Sequence, residues 1–518
     1  MGLYLAALYL REGGSVRRAV SFGGDDRLVS EYVESEFLER ISRRQREFLT
    51  RTAVLERMSG SLCEEVLQAP GSAAALAELA GSNLLLVPLD RRGQWYRYHH
   101  LFRDMLLAEL QRAEPDLAPV LRRRAAWWCL RNGLPEEALE YFMAAEDADA
   151  AARLMEQLAV PTRRQGRSAT LQRWFTWLDD RGGIGRHAMV TVLAALIYAW
   201  MGRPADAERW ADVLDGRPYR DGAWPDDTPV AGWAALMRAF LCRHGIERMC
   251  ADANEAAQRF AVHGIVTPGP ALLKGIAHVL SGDLFASDAF FADAVSAAES
   301  TSAHEVLAAA LSERSLLAMM HGEWSRAEDL AGQASTALRE AGIEESYVAP
   351  LVCAARARTA AHRGDFAAAR RQLSNAQRLR PLLTYAIPHV AVQALIELTR
   401  VHLALADLAG AGTLMREIDE LLERRPDLGT LVGEAQTLRD RLSASPARGV
   451  PGASSLTAAE LRVLPLLATH LSFQEIGAEL FVSPHTVKSQ AISIYRKLGA
   501  TSRSQAVARS RELALLEG

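Results

Sequence analysis

Six basic residues, Lys488, Arg496, Lys497, Arg503, Arg509 and Arg511, stand between Ser483 and Arg511, and no Asp or Glu interrupts those 29 positions. The whole chain carries a formal net charge of −4, so this cationic stretch is local. Guanidinium and ammonium groups gathered on one face neutralise phosphates, and those that reach a base edge hydrogen-bond to it. The chain has only three lysines, Lys274, Lys488 and Lys497, against 56 arginines, and two of the three fall in this segment. The predicted chemistry is phosphate binding on a dedicated face.

Four short helices are predicted to hold that face. Thr457-Ala-Ala-Glu460 and Ser472-Phe-Gln-Glu475 each have the form of a capping box, in which hydroxyl and carboxylate satisfy free amide donors reciprocally. Ser483 followed by Pro484 opens a third helix that stops at Gly499, and Ser502-Arg-Ser-Gln505 opens a fourth. Leu480-Phe-Val482 leaves only a tight turn between the second helix and the third. Along the third, Val487, Ala491, Ile494 and Leu498 form a narrow apolar stripe that must be packed inward. Lys488, Ser489, Ile492 and Arg496 project from the opposite side, with His485 and Thr486 at the N-terminal tip. Such a helix fits the DNA major groove, about 12 Å wide. The candidate DNA-binding set is Ser483, His485, Thr486, Val487, Lys488, Ser489, Gln490, Ile492, Ser493, Arg496 and Lys497.

No catalytic constellation competes with this reading. There is no GxSxG and no HExxH, and no Cys/His pair stands in a recognisable context. Five cysteines, Cys63, Cys129, Cys242, Cys250 and Cys353, are scattered without a CxxC, and adjacent His99 and His100 lack a carboxylate or thiol at ligand spacing. No catalytic residue and no metal site is expected, and the chain is not expected to be an enzyme. No stretch reaches the roughly 18 apolar residues of a bilayer span, and Leu3 to Leu10 leads directly into Arg11 and Glu12, a poor secretion signal. A cytoplasmic protein is expected.

The remaining chain is predicted to be mostly all-α. Asn83 to Asp90 and Arg91 to Tyr98 flank a turn at Gly93 and predict a β-hairpin, so that residues 25–112 suit a small winged-helix-like domain. From 120 to 442, Gly202, Gly245, Gly282, Gly322 and Gly364 recur at separations of 43, 37, 40 and 42 between amphipathic stretches. Gly322-Glu-Trp-Ser-Arg-Ala, Gly364-Asp-Phe-Ala-Ala-Ala, Gly282-Asp-Leu-Phe and Gly133-Leu-Pro-Glu-Glu-Ala share a pattern. Its expected logic is that glycine ends a helix in a left-handed cap, the large residue fills the corner, and alanine admits the next helix closely. Stacked helix pairs of near-constant period form a TPR-like α-solenoid. Residues 443–455, rich in Ser, Pro, Ala and Gly, are a flexible linker to the C-terminal domain at 456–518.

The C-terminal motifs Leu456-Thr-Ala-Ala-Glu-Leu-Arg-Val-Leu-Pro-Leu-Leu, Glu475-Ile-Gly, Ser483-Pro-His-Thr-Val-Lys and Ile494-Tyr-Arg-Lys-Leu-Gly resemble the LuxR-type DNA-binding domain almost end to end. The resemblance implies recognition by the third helix, phosphate contacts from its flanks and a homodimer joined through the fourth, Ser502 to Leu516, on a promoter of two half-sites. Gln490 departs from the family, which usually has His there. Trp95-Tyr-Arg-Tyr-His-His-Leu-Phe, Phe48-Leu-Thr-Arg-Thr-Ala-Val-Leu and the solenoid resemble the large ATP-dependent regulators related to MalT. Those regulators carry a P-loop, GxxxxGK[ST], but this sequence contains no Gly-Lys dipeptide, so no ATP site and no other cofactor is expected. Residues 1–24 resemble the end of the absent nucleotide-binding region. Together these likenesses imply a transcription regulator, expected to be an activator that engages RNA polymerase, with a small-molecule or protein effector on the solenoid. The alternative is a protein-interaction adaptor built on the solenoid, with a tail that does not read DNA or only dimerises.

Overall fold

The computed structural model describes residues 42–81, 86–183, 185–215, 230–444, 456–513 and 515–516. The expected remnant at 1–24, the start of the winged-helix-like domain, Asn83 at the head of the hairpin and most of the linker lie outside the described residues. Contacts divide the chain into two compact units, 1–183 and 184–518.

The first unit opens with α1 (Arg43–Thr52), α2 (Gly60–Leu67) and α3 (Ser72–Gly81), then β1 (Leu86–Pro88), β2 (Tyr96–Tyr98) and α4 (His100–Ala113). Ser42 caps α1 in a full capping box, and Ser59 caps α2. β1 and β2 pair antiparallel, with Leu86 opposite Tyr98. Between them Asp90 accepts the amides of Arg92, Gln94 and Trp95 at 2.8, 3.1 and 2.7 Å, which fixes the turn and holds its carboxyl below the ordinary range. Behind the ribbon the buried Tyr98 and Thr52 hydroxyls meet at 2.6 Å.

Four more helices belong to this unit, α5 (Leu117–Arg131), α6 (Pro135–Ala144), α7 (Ala148–Arg164) and α8 (Ser168–Asp179). Among the bonds that tie the first pair to the winged helix, Arg124 donates to the Val66 carbonyl at 2.9 Å, and the Glu56 amide donates to the Tyr141 hydroxyl at 3.1 Å. The repeat region expected from 120 onward is therefore shared between the two units.

The second unit continues with α9 (Ala188–Trp200), α10 (Pro204–Asp215), α11 (Val230–Leu241), α12 (Gly245–Val262), α13 (Gly269–Leu280), α14 (Leu284–Ser300), α15 (His304–Met320) and α16 (Trp324–Glu340). It goes on through α17 (Ala349–His362), α18 (Phe366–Leu379), a 3₁₀ turn at Arg380–Leu382, α19 (Pro388–Ala404), α20 (Leu408–Arg424) and α21 (Thr430–Ser443). From α9 to α20 the helices pack as consecutive antiparallel pairs, and each pair packs on the next, the arrangement of a TPR-like solenoid. Trp200 stacks on Tyr347, ring centroids 6.1 Å apart, while Phe240 meets Tyr347 and His389 edge-on at 5.6 and 5.9 Å. The Thr430 hydroxyl donates to the Val279 carbonyl at 3.2 Å, so the last helix of the array packs back against an earlier one.

The corner motif works differently from its expected logic. Gly282, Gly322 and Gly364 do adopt left-handed φ of 86°, 77° and 81°, and Ala327 and Ala369 are fully buried. The large residue fills the corner only in part. Trp324 is half-buried and stacks on His362, ring centroids 3.6 Å apart, whereas Phe285 is 96% exposed and Phe366 46% exposed, near the start of helices that an Asp carboxylate caps. Asp283 accepts from the Ala286 amide and Asp365 from the Ala368 amide, at 3.1 and 2.9 Å. A further turn of the same form has no glycine: Ala406 takes φ 57°, and Asp407 caps α20 through the Gly410 amide at 2.9 Å. Gly245 is not a helix end at all. It opens α12 at φ 83°, where a Cβ would collide with Asp427.

Candidate nucleic-acid interface

The C-terminal domain consists of α22 (Ala458–Leu467), α23 (Phe473–Glu479), α24 (Pro484–Leu498) and α25 (Arg503–Glu512). Thr457 and Ser472 form capping boxes with Glu460 and Glu475, Ser483 accepts from the Thr486 amide at 3.0 Å, and Ser502 accepts from the Gln505 amide at 3.3 Å. Gly499 ends α24 at φ 67°. All four starts lie where the capping residues predict them.

Val487, Ala491, Ile494 and Leu498 are buried against Leu461, Leu464 and Leu467 of α22 and Ile476 of α23. Between α23 and α24 the turn Leu480–Val482 passes so close to Gly477 that a Cβ there would lie 2.7 Å from the Val482 carbonyl oxygen. Glycine at 477 is therefore what lets the turn close, and Phe481 completes it at φ 54° with its ring 70% exposed.

On the outer side, Ser483, His485, Lys488, Ser489, Ile492 and Arg496 are all exposed, with Ile492 at 56%. Thr486, Gln490 and Ser493 are half-buried. The Thr486 and Ser483 hydroxyls lie 2.8 Å apart in the cap. The exposed set combines two cations, three hydroxyl or imidazole groups and an apolar side chain able to touch a thymine methyl.

Two of the expected DNA-facing residues belong to the interior instead. Val487 is fully buried, since the stripe that packs α24 onto its neighbours passes through it. The Lys497 ammonium lies 2.7 Å from Glu460, with 19% and 6% of the two side chains exposed. Burial opposes charge on Glu460, but the bonds from Lys497, the Thr457 amide and Ser493 prevail and hold its carboxyl below the ordinary range. One carboxylate thus caps α22 and clamps α24.

Arg503 also leaves the cationic face. Its guanidinium donates to the carbonyls of Leu466, Leu467, Thr469 and Leu471 at 2.8 to 3.1 Å, satisfying the open end of α22. Arg509 pairs with Glu512 at 2.6 Å. Among the six basic residues of the segment, Lys488, Arg496 and Arg511 remain without an ion pair or a side-chain hydrogen bond among the described residues, and the first two share α24.

Among the described residues, no group of three or more His, Cys, Asp or Glu is placed to hold a metal ion. The His99 and His100 rings pack at a tilt of 31°, ring centroids 4.4 Å apart. No helix there is long and apolar enough to cross a membrane.

Comparison with known proteins places two domains at opposite ends. Residues 454–510 match the model for bacterial regulatory proteins of the luxR family, and residues 34–118 match the MalT winged helix domain. The chain is 33% identical over 152 residues to the HTH-type transcriptional regulator MalT of Klebsiella pneumoniae, covering 28% of this chain and 16% of that protein. It is 29% identical over 217 residues to the serine/threonine-protein kinase PknK of Mycobacterium tuberculosis, covering 42% of this chain and 18% of that one. The matched stretches thus span less than a fifth of either relative. A crystal structure of a signal transduction ATPase with numerous domains that carries a tetratricopeptide repeat sensor, from Pyrococcus horikoshii, superposes with a TM-score of 0.50 at 11% identity. That likeness covers 80% of this chain and 65% of the other, and it concerns the fold alone. The C-terminal domain thus matches the luxR family and the N-terminal domain the MalT winged helix.

Proposed function

We propose that the protein is a sequence-specific DNA-binding transcription regulator, cytoplasmic and acting as an activator through RNA polymerase. The observation that carries this reading is α24: its apolar stripe is fully inside, and Lys488, Ser489, Ile492 and Arg496 face out. In this reading His485 and Ser489 contact base edges or phosphates beside the tip, Lys488 and Arg496 supply the charge, and α25 joins two copies on a site of two halves. The solenoid receives a small-molecule or protein effector. These residues contain no Gly-Lys dipeptide to form a P-loop, so the reading draws on no nucleotide bound by them.

Selection of bound fragments from random DNA by the full chain tests the reading, with a Lys488→Ala, Arg496→Ala double variant alongside. A common two-part motif, lost in the variant, is the expected result, and affinity should fall steeply with salt. Equal retention of all fragments by both proteins would remove sequence reading from α24. No retention at all by a folded dimer would favour an adaptor role for the solenoid.

A further inference from the structure

Within the first unit a cavity of about 330 Å³ opens between the β ribbon and the α5–α6 pair. Three aromatic side chains wall it: Trp95 from the ribbon, Trp128 from α5 and Tyr141 from α6. Trp95 and Trp128 meet edge to face, ring centroids 6.3 Å apart, and the Tyr141 hydroxyl is fixed by the Glu56 amide. The walls are therefore preformed.

The charges around the cavity do not cancel. Glu137 pairs with Arg57 at 2.8 Å, and that guanidinium lies over the Trp95 ring at 4.6 Å. Glu140 is taken by Arg173 at 2.8 Å and by the Trp174 indole at 3.1 Å, and Glu56 stands 3.9 Å from Arg103. Each lining carboxylate thus has its cation. Two lining arginines, Arg97 and Arg122, have no ion pair among the described residues. Arg122 is half-buried and spends one N–H on the Ala144 carbonyl at 2.8 Å. Burial and the nearby Arg103 guanidinium push its pKa below the ordinary value, the strain of unmatched positive charge. Glu146, whose field partly offsets this, is itself held by Arg181 at 2.7 Å.

We propose that this cavity binds a small flat anion, an aromatic carboxylate, with its ring against Trp95 and Trp128 and its carboxylate between Arg97 and Arg122. Guanidinium matches carboxylate through paired N–H donors, and an indole edge meets a flat ring at little entropic cost. The volume lies at the lower end for ligand sites, which suits one ring or two fused rings and excludes a nucleotide. The site is separate from α24 and does not depend on DNA binding.

Titration of the full chain with indole-3-carboxylate and benzoate, followed by calorimetry and by saturation transfer to the ligand, tests this. Indole-3-carboxamide serves as the uncharged control. The expected result is saturable binding of at least one acid, at least tenfold weaker for the amide, and weakened about tenfold by Arg97→Gln or Arg122→Gln. The Arg97 side chain is exposed and carries no hydrogen bond among the described residues, so its variant should fold even if loss of the Arg122 contact to Ala144 disturbs the other. Absence of saturable binding by either acid, equal binding of the amide, or an Arg97→Gln variant that binds as the unaltered protein does would each overturn the proposal.

Discussion

Arg380, 1% exposed at the 3₁₀ turn of the solenoid, donates at once to the Glu417 carboxylate and to the Leu456 carbonyl that opens the C-terminal domain. The bonds to Glu417 measure 3.1 and 2.7 Å. Nearby, the Ser374 hydroxyl donates to the Leu513 carbonyl at 3.3 Å, and the Arg203 guanidinium lies 5.1 Å from the Phe481 ring centroid. The DNA-binding domain is thus seated on the solenoid through the ends of its helices, with Lys488, Ser489, Ile492 and Arg496 left exposed.

Arg380→Met should destabilise the second unit by about 1 to 3 kcal/mol, because the half-buried Glu417 then loses one of its cations and the Leu456 carbonyl loses its donor. Adding Glu417→Leu should restore most of the loss. Urea denaturation of both variants against the parent checks this, and a single variant as stable as the parent would mean that the pair contributes little.

Lys497→Ala and Lys488→Ala should separate stability from binding. The first leaves the Glu460 carboxylate unpaired and should cost about 1 to 3 kcal/mol. The second removes an exposed ammonium, leaving the melting temperature unchanged and reducing DNA affinity by about 1 to 3 kcal/mol if it contacts a base. Denaturation and fluorescence anisotropy on the same samples provide the comparison. Equal melting temperatures for both would contradict the structural role of Lys497.

Gly477→Ala should disrupt the turn before α24, since the new methyl meets the Val482 carbonyl and not a yielding side chain. A cost of about 1 to 3 kcal/mol is expected, with DNA binding lost together with amide protection in α23 and α24. Hydrogen exchange of the C-terminal domain measures it directly.

Glu313 should make the solenoid less stable as pH rises. It is 2% exposed, and its carboxyl accepts from the Gln393 amide at 2.9 Å. Burial pushes its pKa up to about 7, with the neighbouring Glu397 adding to the rise and Gln393 opposing it. A carboxyl raised in the folded state binds more protons there than in the unfolded chain, whose value is about 4.3. Its contribution is then fully present below that value and is lost as pH climbs to about 7. Glu313→Gln should flatten the slope between those limits in denaturation series. An unchanged slope would show that Glu313 does not titrate in this window.

The amino-acid order makes legible whatever is settled within one helical turn. The caps at Thr457, Ser472, Ser483 and Ser502, the stripe Val487 to Leu498 and the left-handed glycines at 282, 322 and 364 all satisfy their requirements with neighbours a few residues away. The fates of Lys497 and Arg503 do not. Their partners lie between 32 and 37 residues upstream, and a count of charges cannot tell a cation facing solvent from one clamped to another helix. Ala406 hid a repeat turn because a left-handed alanine has no compositional signature, although the following Asp407 offered one. Phe285 looked like a corner plug because its size suggested burial, whereas the capping Asp283 turns it outward.

The bonds from Arg503 to the carbonyls closing α22, together with the Glu460 clamp on α24, bind the first, third and fourth helices into one rigid wedge. Two such wedges joined through α25 would act as a fixed calliper, holding their α24 tips at a single distance. Promoters would then be discriminated by the number of base pairs between the two halves as strictly as by the bases within each half.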